Sequence, residues 1–479
     1  MGWSSTVRVN DDPLELAREA LRGEAVWLVG GAVRDRLDGR ESSSLDVDLI
    51  IGGDAEQAAR TLAAAGGRGI VAFSLSDQFG AWRVSGADVE WQIDCTAMQA
   101  ETLEQDLNAR DLTINAIAEP LAGGPLIDPT GGQSDLKNAL LRMPSAAVFE
   151  ADPLRSLRLV RFYGELGFEV DEQTAAAARA AAPRLDSVAA ERIFAELNRT
   201  INSDRAVSAL RMLDQIGAMQ VVLPELRALQ GVEQTAYHHL DAYDHTLEVL
   251  QQVIGLEAEP ASLIGDSLAS DTALVLSEPL ADSVSRGNAL RWGALLHDIA
   301  KPQTRTIFED QRVGFPNHAS EGAVVAGEIM ERLRTSERLR THVASLTREH
   351  LRLGFLVHEG PVTAQTLYRY ITTCEPVEVD VTLLSLADRM ATRGRKSEQA
   401  IALHMSLALE VLEASLEWRR SGAPVPLLKG DELAEELGIP HGPQLGALIA
   451  AITEGQYCGT VASREQAIAL ANQLIADGE

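Results

Sequence analysis

The sequence predicts an α+β protein in which a small mixed sheet is followed by a long, all-helical remainder. Three observations predict this. Short runs of alternating apolar residues are confined to the first hundred positions, and apolar residues recur at helical spacing from about residue 143 onward. Aromatics are only 4% of a chain rich in alanine and leucine, which suits aliphatic helical cores. At 479 residues the chain exceeds the ~250–300 residues at which a single core stops growing, so several domains are expected.

In order, residues 26–51 alternate strand and helix-start signals around VWLVGGAVRDRL and SLDVDLIIGG. Residues 71–73, 81–85 and 89–95 read as short strands, with alternation in AWRV and VEWQID. SLRLVRFYGELGF has helical spacing with Gly167 as its stop, and AAERIFAELNRTI is an amphipathic helix. The Ser-rich, acidic stretch 257–287 reads as an irregular insertion between two helices, and GAPVP at 422–426 separates a last small region. In that region PLLKGDELAEELGIPHGPQLGALIAAI and REQAIALANQLI predict two or three amphipathic helices. The expected division is 1–142, 143–232, 233–400 and 401–479.

No run of ~18 apolar residues suggests a membrane span, and the N-terminal stretch lacks the basic and apolar segments of a signal peptide. Cys95, Cys374 and Cys458 are far apart and show no metal spacing, as expected of reduced thiols in a cytoplasmic protein. The net charge of −28 by itself argues against a nucleic-acid-binding protein, although binding follows local potential rather than the total.

The chemistry is carried by motifs. Gly30 and Gly31 end an apolar run, where backbone amides can approach a triphosphate without an intervening Cβ. Arg34 offers a forked donor for phosphate. Asp46 and Asp48 are two apart, so on a strand both face the same side and can hold a pair of oxygen-ligated Mg²⁺ ions. Asp94, on a later strand, can add a third carboxylate. Asp-x-Asp alone is common on solvated loops. Here it is followed in order by ARDLTINAIA (109–118), DPTGG (128–132), DPLRSLRLVRF (152–162) and ERIFAEL (191–197).

That succession resembles the class II tRNA nucleotidyltransferase and poly(A) polymerase family of bacteria, over roughly the first 230 residues. The resemblance implies a polymerase-beta-like head followed by an all-α neck, body and tail. It also implies transfer of nucleotides from CTP or ATP to tRNA 3′ ends, with Mg²⁺ on Asp46 and Asp48; Asp94 is expected to join them as a third catalytic carboxylate. Gly30, Gly31 and Arg34 match the family's triphosphate turn. Arg110, Asp111 and Asn115 match a motif that contacts the sugar and phosphates of the incoming nucleotide. Asp152 and Arg155 match the pair that reads its base, with Arg158 one turn on. Asp and Arg at i and i+3 of a helix share a face, and together can complement the Watson–Crick edge of cytosine or adenine.

Two departures stand out. The base-reading motif usually begins Glu-Asp, whereas Ala151 precedes Asp152 here, with Glu150 one further back. Members that complete CCA carry a long polar loop before the second motif. Here the interval is only residues 96–107, similar to the shortened loop of the CC-adding branch. Since that loop is thought to help switch the site from CTP to ATP, addition of C alone is one expectation and complete CCA another.

A second constellation comprises His245, His297-Asp298, His318, His350 and Asp388, with Lys301 completing HDIAKP. It resembles the HD superfamily of metal-dependent phosphohydrolases. Nitrogen donors mixed with carboxylates suit Mn, Ni, Co or Fe. His245, His297, Asp298 and Asp388 are the expected ligands of one ion, while His318 and His350 bind a second ion or a substrate phosphate. Cyclic 2′,3′-phosphates, nucleotides and damaged RNA ends are the substrates the resemblance implies. His238 and His239 take no assigned place, and His342, His358, His404 and His441 read as ordinary residues. A poly(A) polymerase, a phosphohydrolase with an inactive polymerase head, and a tRNA-binding module are the alternatives. The sequence leaves the oligomeric state open.

Overall fold

The computed structural model describes residues 12–40, 46–76, 80–87, 89–235, 238–357, 362–393 and 397–478. His358, and Ser44 and Leu45 of the SLDVD run, lie outside them. The chain forms two compact units, Met1–Val222 and Leu223–Glu479, and the protein is α+β as expected. Among the described residues, no helix is long and apolar enough to cross a membrane.

The first unit is built on a six-stranded sheet. Its strands are β1 (Val26–Val29), β2 (Asp46–Ile51), β3 (Ile70–Ser76), β4 (Ala81–Gly86), β5 (Gln92–Ala97) and β6 (Glu119–Pro120), in the order β3-β4-β5-β2-β1-β6. β2 and β5 are parallel and the other pairs antiparallel. Helices α1 (Pro13–Ala20), α2 (Gly31–Leu37), α3 (Ala55–Gly66) and α4 (Leu103–Asn108) accompany it. Alternation decides the two faces. Val47, Leu49 and Ile51 of β2 join Leu28, Val84, Ile93 and Leu62 in the larger core. On the opposite face, Val29 and Ile50 pack with Leu103 and Leu107 of α4 and with Ala116 and Ala118. That second core covers only part of its face. Asp46 and Asp48 occupy the part left open.

The DPTGG run buttresses the segment that reaches into this opening. Asp128 accepts hydrogen bonds from the N–H of Gly132 (2.7 Å) and Gln133 (2.9 Å) at the start of α5 (Gly132–Lys137). A Cβ on Gly132 would lie 2.1 Å from the carbonyl oxygen of Thr113. The Thr113 hydroxyl donates to Asp135 at 2.7 Å. Thr113–Asn115 is thereby pressed into place as a single 3₁₀ turn. After it come α6 (Ala147–Ala151), α7 (Arg155–Leu166), α8 (Glu172–Ala181), α9 (Ala190–Ile201) and α10 (Ala206–Gln215). α7 ends at the expected stop, Gly167, whose φ of 70° is left-handed and whose N–H bonds to the Tyr163 carbonyl.

The second unit is helical apart from two small hairpins at Pro279–Ser285 and Thr306–Gly314. Its centre packs Ala242–Ala258, Arg286–Leu296, Glu337–Glu349 and Glu378–Ala391 against one another. The expectation of an irregular stretch at 257–287 is corrected. Residues Pro260–Ile264 and Asp266–Ser277 are helical. Ala269, Thr272, Val275 and Leu276 bury one stripe at helical spacing, and packing overrides the weak propensity of Ser and Asp. Three helices after GAPVP, Gly430–Leu437, Pro443–Tyr457 and Arg464–Asp477, enclose a core of their own around Leu433, Leu448 and Ala471.

Gly132→Ala should lower stability by about 1–3 kcal/mol through overpacking against a backbone carbonyl, read as a lower urea midpoint. An unchanged midpoint would show that the 113–115 turn does not depend on this contact.

Candidate functional sites

Strand register sets the first site. Asp48 lies beside Asp94 on β5 and beside Val29 on β1, and Asp46 lies beside Gln92. Residues paired across a sheet face the same side, so three carboxylates gather at one opening. The chain leaves β1 at Gly30, with φ +73°, and a Cβ there would come within 2.8 Å of Asp48 Oδ2. Only glycine fits both conditions. Loss of water raises the pKa of Asp48; Arg110 and Arg158 oppose the rise, and Asp94 and Asp46 add to it. A carboxylate cluster of this kind is short of positive charge. Asp94 meets part of the deficit through a two-pronged pair with Arg83 of β4, at 2.7 and 2.8 Å.

The pocket above the carboxylates has a volume of 510 Å³ and is lined by six arginines and five aspartates. Most of the arginines are held by one network. Arg34 donates to Asp35 (2.8 Å) and to Asn115 Oδ1 (2.9 Å) and lies over the Phe162 ring. Asn115 donates to Asp111 at 3.1 Å. Asp111 accepts from Arg158 Nε at 2.8 Å, with Nη2 at 2.6 Å. Glu196 of α9 takes Arg161 at 2.6 Å, and Arg161 stacks on Phe162 at 3.9 Å. Burial would raise the Asp111 pKa, but Arg158 and the Asn115 hydrogen bond hold it well below the usual carboxylate range. Asp111 in turn raises Arg158. Arg110 is different: its buried Nε has no hydrogen-bond partner among the described residues, and burial lowers its pKa.

A smaller cavity of 240 Å³ adjoins, lined by Arg110, Asp111, Asp152, Arg155, Arg158 and Arg192. Here the expectation of a shared helix face for Asp152 and Arg155 is corrected. Asp152 is extended (φ −142°, ψ 103°) and lies before α7. Pro153 disfavours helical geometry in the residue preceding it. Asp152 pairs with Arg192 of α9 at 2.7 Å. Arg155 donates to the carbonyls of Ala109 (2.7 Å) and Val148 (3.2 Å). Both residues still line one cavity. Arg161, Phe162, Arg192 and Glu196 stood inside quoted motifs without being singled out. Arg83 had no motif to mark it.

The second site is in the helical unit. His245, His297 and Asp388 present ligand atoms within 4.8 Å of one another, as do Asp298, His318 and His350. Asp298 joins the two groups: one oxygen is 3.0 Å from His297 Nε2 and the other 3.3 Å from His318 Nε2. Three rings are fixed by Nδ1 on a carbonyl, His297 on Ala294 (2.8 Å), His318 on Phe315 (2.7 Å) and His350 on Thr347 (2.7 Å). Every Nε2 is left facing the centre. The buried Nε2 atoms of His245 and His297 lie 3.0 Å from carboxylate oxygens of Asp388 and Asp298, respectively, but not in hydrogen-bonding geometry among the described residues. Oriented imidazoles whose Nε2 atoms converge on carboxylates fit divalent ions. Burial, then the His297 charge, lowers His350 to about 3. Burial opposes charge on His297, but adjacent Asp298 raises its pKa.

A 630 Å³ cavity opens on this centre. Lys301 reaches Asp298 at 2.5 Å. Two histidines gain a place. His238 meets His245 edge-on at 5.0 Å, and His404, expected to be ordinary, lines the cavity and bonds Ser385 at 3.2 Å. His342 instead faces Asp380, outside the centre, at 3.5 Å.

A nucleotidyltransferase-type head joined to an HD metal centre is the class these sites define. Comparison with known proteins gives the family. The sequence model of the "Poly A polymerase head domain" matches residues 26–142, "Probable RNA and SrmB- binding site of polymerase A" matches 167–229, and "HD domain" matches 242–393. The chain is 35% identical to an A-adding tRNA nucleotidyltransferase of Deinococcus radiodurans, over 92% of this chain and 93% of that one. It is 33% identical to a CC-adding tRNA nucleotidyltransferase of Thermus thermophilus, over 92% and 91%. The Thermotoga maritima CCA-adding enzyme complexed with tRNA shares the fold at 21% identity, with a TM-score of 0.59 over 97% of this chain and 95% of that one. The chain belongs to the tRNA nucleotidyltransferase and poly(A) polymerase family.

Asp111→Asn would remove the nearest carboxylate of Arg158, whose side chain is 36% exposed and keeps Glu196 at 3.5 Å, and after discounting for solvent screening should cost about 1–2 kcal/mol at pH 7. A carboxyl with a depressed folded pKa stabilises above its unfolded pKa of ~3.9 and loses that effect as pH falls toward the folded value. The difference between wild type and Asp111→Asn should therefore be full at pH 7 and shrink below about pH 4. Denaturant midpoints across pH check this; a gap independent of pH would contradict it.

Proposed function

We propose that the first unit transfers CMP from CTP to the 3′ end of tRNA and stops after two additions. The observation that carries the transfer is the pairing of Asp46 and Asp48 on one open sheet face beside the Gly30 turn. The length of the addition rests on the interval before the second motif. β5 ends at Ala97 and α4 begins at Leu103, so five described residues stand where CCA-completing members carry their long loop.

In this reading Gly30, Gly31 and Arg34 take the β- and γ-phosphates. Arg110, free at Nε, takes charge that develops near the α-phosphate, and Asp111 and Asn115 hold Arg158 and Arg34 in position. The cavity of Asp152, Arg155 and Arg192 takes the base. Asp46 and Asp48 would hold Mg²⁺, which would supply the charge that acidifies the tRNA 3′-hydroxyl and neutralises departing pyrophosphate. The protein's remaining work is positioning and electrostatics. A pocket with nearly balanced arginine and aspartate charge accepts a polyanion only together with such ions, which reconciles the site with a chain of net charge −28. In the second unit, His245, His297, Asp298, Asp388, His318 and His350 would hold divalent transition metals, which would supply an activated water for phosphoester hydrolysis, a reading supported by the two convergent ligand groups and the carbonyl-fixed imidazoles.

A second reading, addition of the terminal A, is favoured by the A-adding relative at 35% identity. Truncated tRNAs separate the two. With tRNA lacking CCA and both CTP and ATP, the expected product gains two C residues, whereas complete CCA ends contradict the early stop. Extension of CC-ended tRNA by ATP alone supports the second reading, and no incorporation on either tRNA overturns the polymerase function. Asp48→Asn should reduce incorporation on the order of 10²–10³-fold or more.

Mn²⁺ or Ni²⁺ at about 100 times Kd should stabilise the wild type by about 2.7 kcal/mol. His297→Ala should remove most of that gain, read as a thermal shift. An equal shift in both proteins would place the ion elsewhere.

A further inference from the structure

The edge strand β3 carries an apolar strip that the first unit does not bury. Val71 is 55% exposed and Phe73 44%. Register fixes the side this strip faces. Phe73 pairs with Arg83, Arg83 with Asp94, and Asp94 with Asp48. Directly paired residues share a face, so Phe73, Arg83, Asp94 and Asp48 form one row across four strands. Val71 pairs with Ser85 on the same face. The other face is closed by α3, against which β3 and β4 pack, with Ile70, Ala72 and Trp82 turned inward. An aromatic ring thus stands open on the carboxylate side of the sheet. At about 4.8 Å per strand, it lies on the order of 10 Å beyond Asp94 and 14 Å beyond Asp48.

Direction follows from the chemistry. In phosphoryl transfer the attacking and leaving oxygens are roughly in line. Under the reading above, the triphosphate runs toward Gly30 and Arg34, at the β1 side of the carboxylates. The attacking hydroxyl must then arrive from the opposite side, across β5 and β4, and the strand behind it lies over β3. Bases stack on exposed aromatic rings with little regard to sequence, and the aliphatic Val71 beside the ring can cover a sugar.

We infer that Phe73, flanked by Val71, is the stacking platform for one of the last two bases of the RNA acceptor end, and so positions the 3′-hydroxyl. It is a positioning surface for the acceptor strand and touches neither the incoming nucleotide nor the carboxylates. The inference rests on the polymerase reading of the same sheet.

The test uses the full chain and a tRNA lacking CCA. Phe73→Ala should raise KM for tRNA about five- to tenfold, the loss of one base–aromatic stack, with KM for CTP at the wild-type value. Phe73→Trp should restore it. An unchanged tRNA KM, or a tryptophan variant as poor as the alanine, overturns the platform. So does an unchanged tRNA KM accompanied by a change in oligomeric state, which would make the strip a contact between copies. A photo-crosslinking phenylalanine analogue at position 73 gives a readout independent of folding in the alanine variant. Cross-links within the last few nucleotides are expected, and cross-links elsewhere on the RNA, or none, contradict the proposal. Failure of the wild type to incorporate CTP would sink the polymerase reading itself, whereas normal incorporation with no Phe73 effect would sink only the platform.

Discussion

Two like charges on one sheet face govern the first unit. Strand alternation turns Asp46 and Asp48 out of the core and together, and parallel pairing with β5 brings Asp94 alongside. Left alone, three carboxylates in a partly dehydrated opening repel one another. The surrounding structure answers with arginines from several elements: Arg83 from the neighbouring strand, Arg110 from the turn after α4, and Arg158 and Arg161 from α7. These would repel one another in turn, and Asp111, Glu196 and Asn115 separate and hold them. The result is a fixed array of charge in which the Nε of Arg110 has no hydrogen-bond partner among the described residues. Such preorganisation is what an electrostatic catalyst of phosphoryl transfer needs, because donors already in place do not reorganise during the reaction.

The same logic runs through the helical unit with different donors. Backbone carbonyls fix the Nδ1 atoms of three histidines, and one aspartate links two ligand groups. Rigid imidazoles suit softer ions than the all-carboxylate donors of the head would. The two centres therefore differ in donor chemistry, and each unit carries its own.

Much of this was legible in the sequence where function depends on neighbours along the chain. The glycine turn, Asp-x-Asp and the HDIAKP run are local patterns, and their geometry follows from the periods of strand and helix. Asp152 and Arg155 were misjudged because the helical period was applied across Pro153, which forces its predecessor out of the helix. The region 257–287 looked irregular because its Ser and Asp content hid a buried stripe. Arg83 was invisible for another reason: its partner Asp94 is adjacent only through strand pairing, and no spacing rule encodes that register. His404 comes from a helix after the last HD motif and joins the cavity only by packing. The shared face of Phe73 and Asp48, likewise, exists only once four strands are in register.

The central claim is that the open face of β2 is where the triphosphate and its metal ions bind. Anomalous diffraction from crystals grown with Mn²⁺ and a non-hydrolysable CTP analogue tests this most directly. The account predicts manganese between Asp46 and Asp48, with the triphosphate along the Gly30–Arg34 turn. Manganese confined to the histidine centre, with no nucleotide over β2, would contradict it.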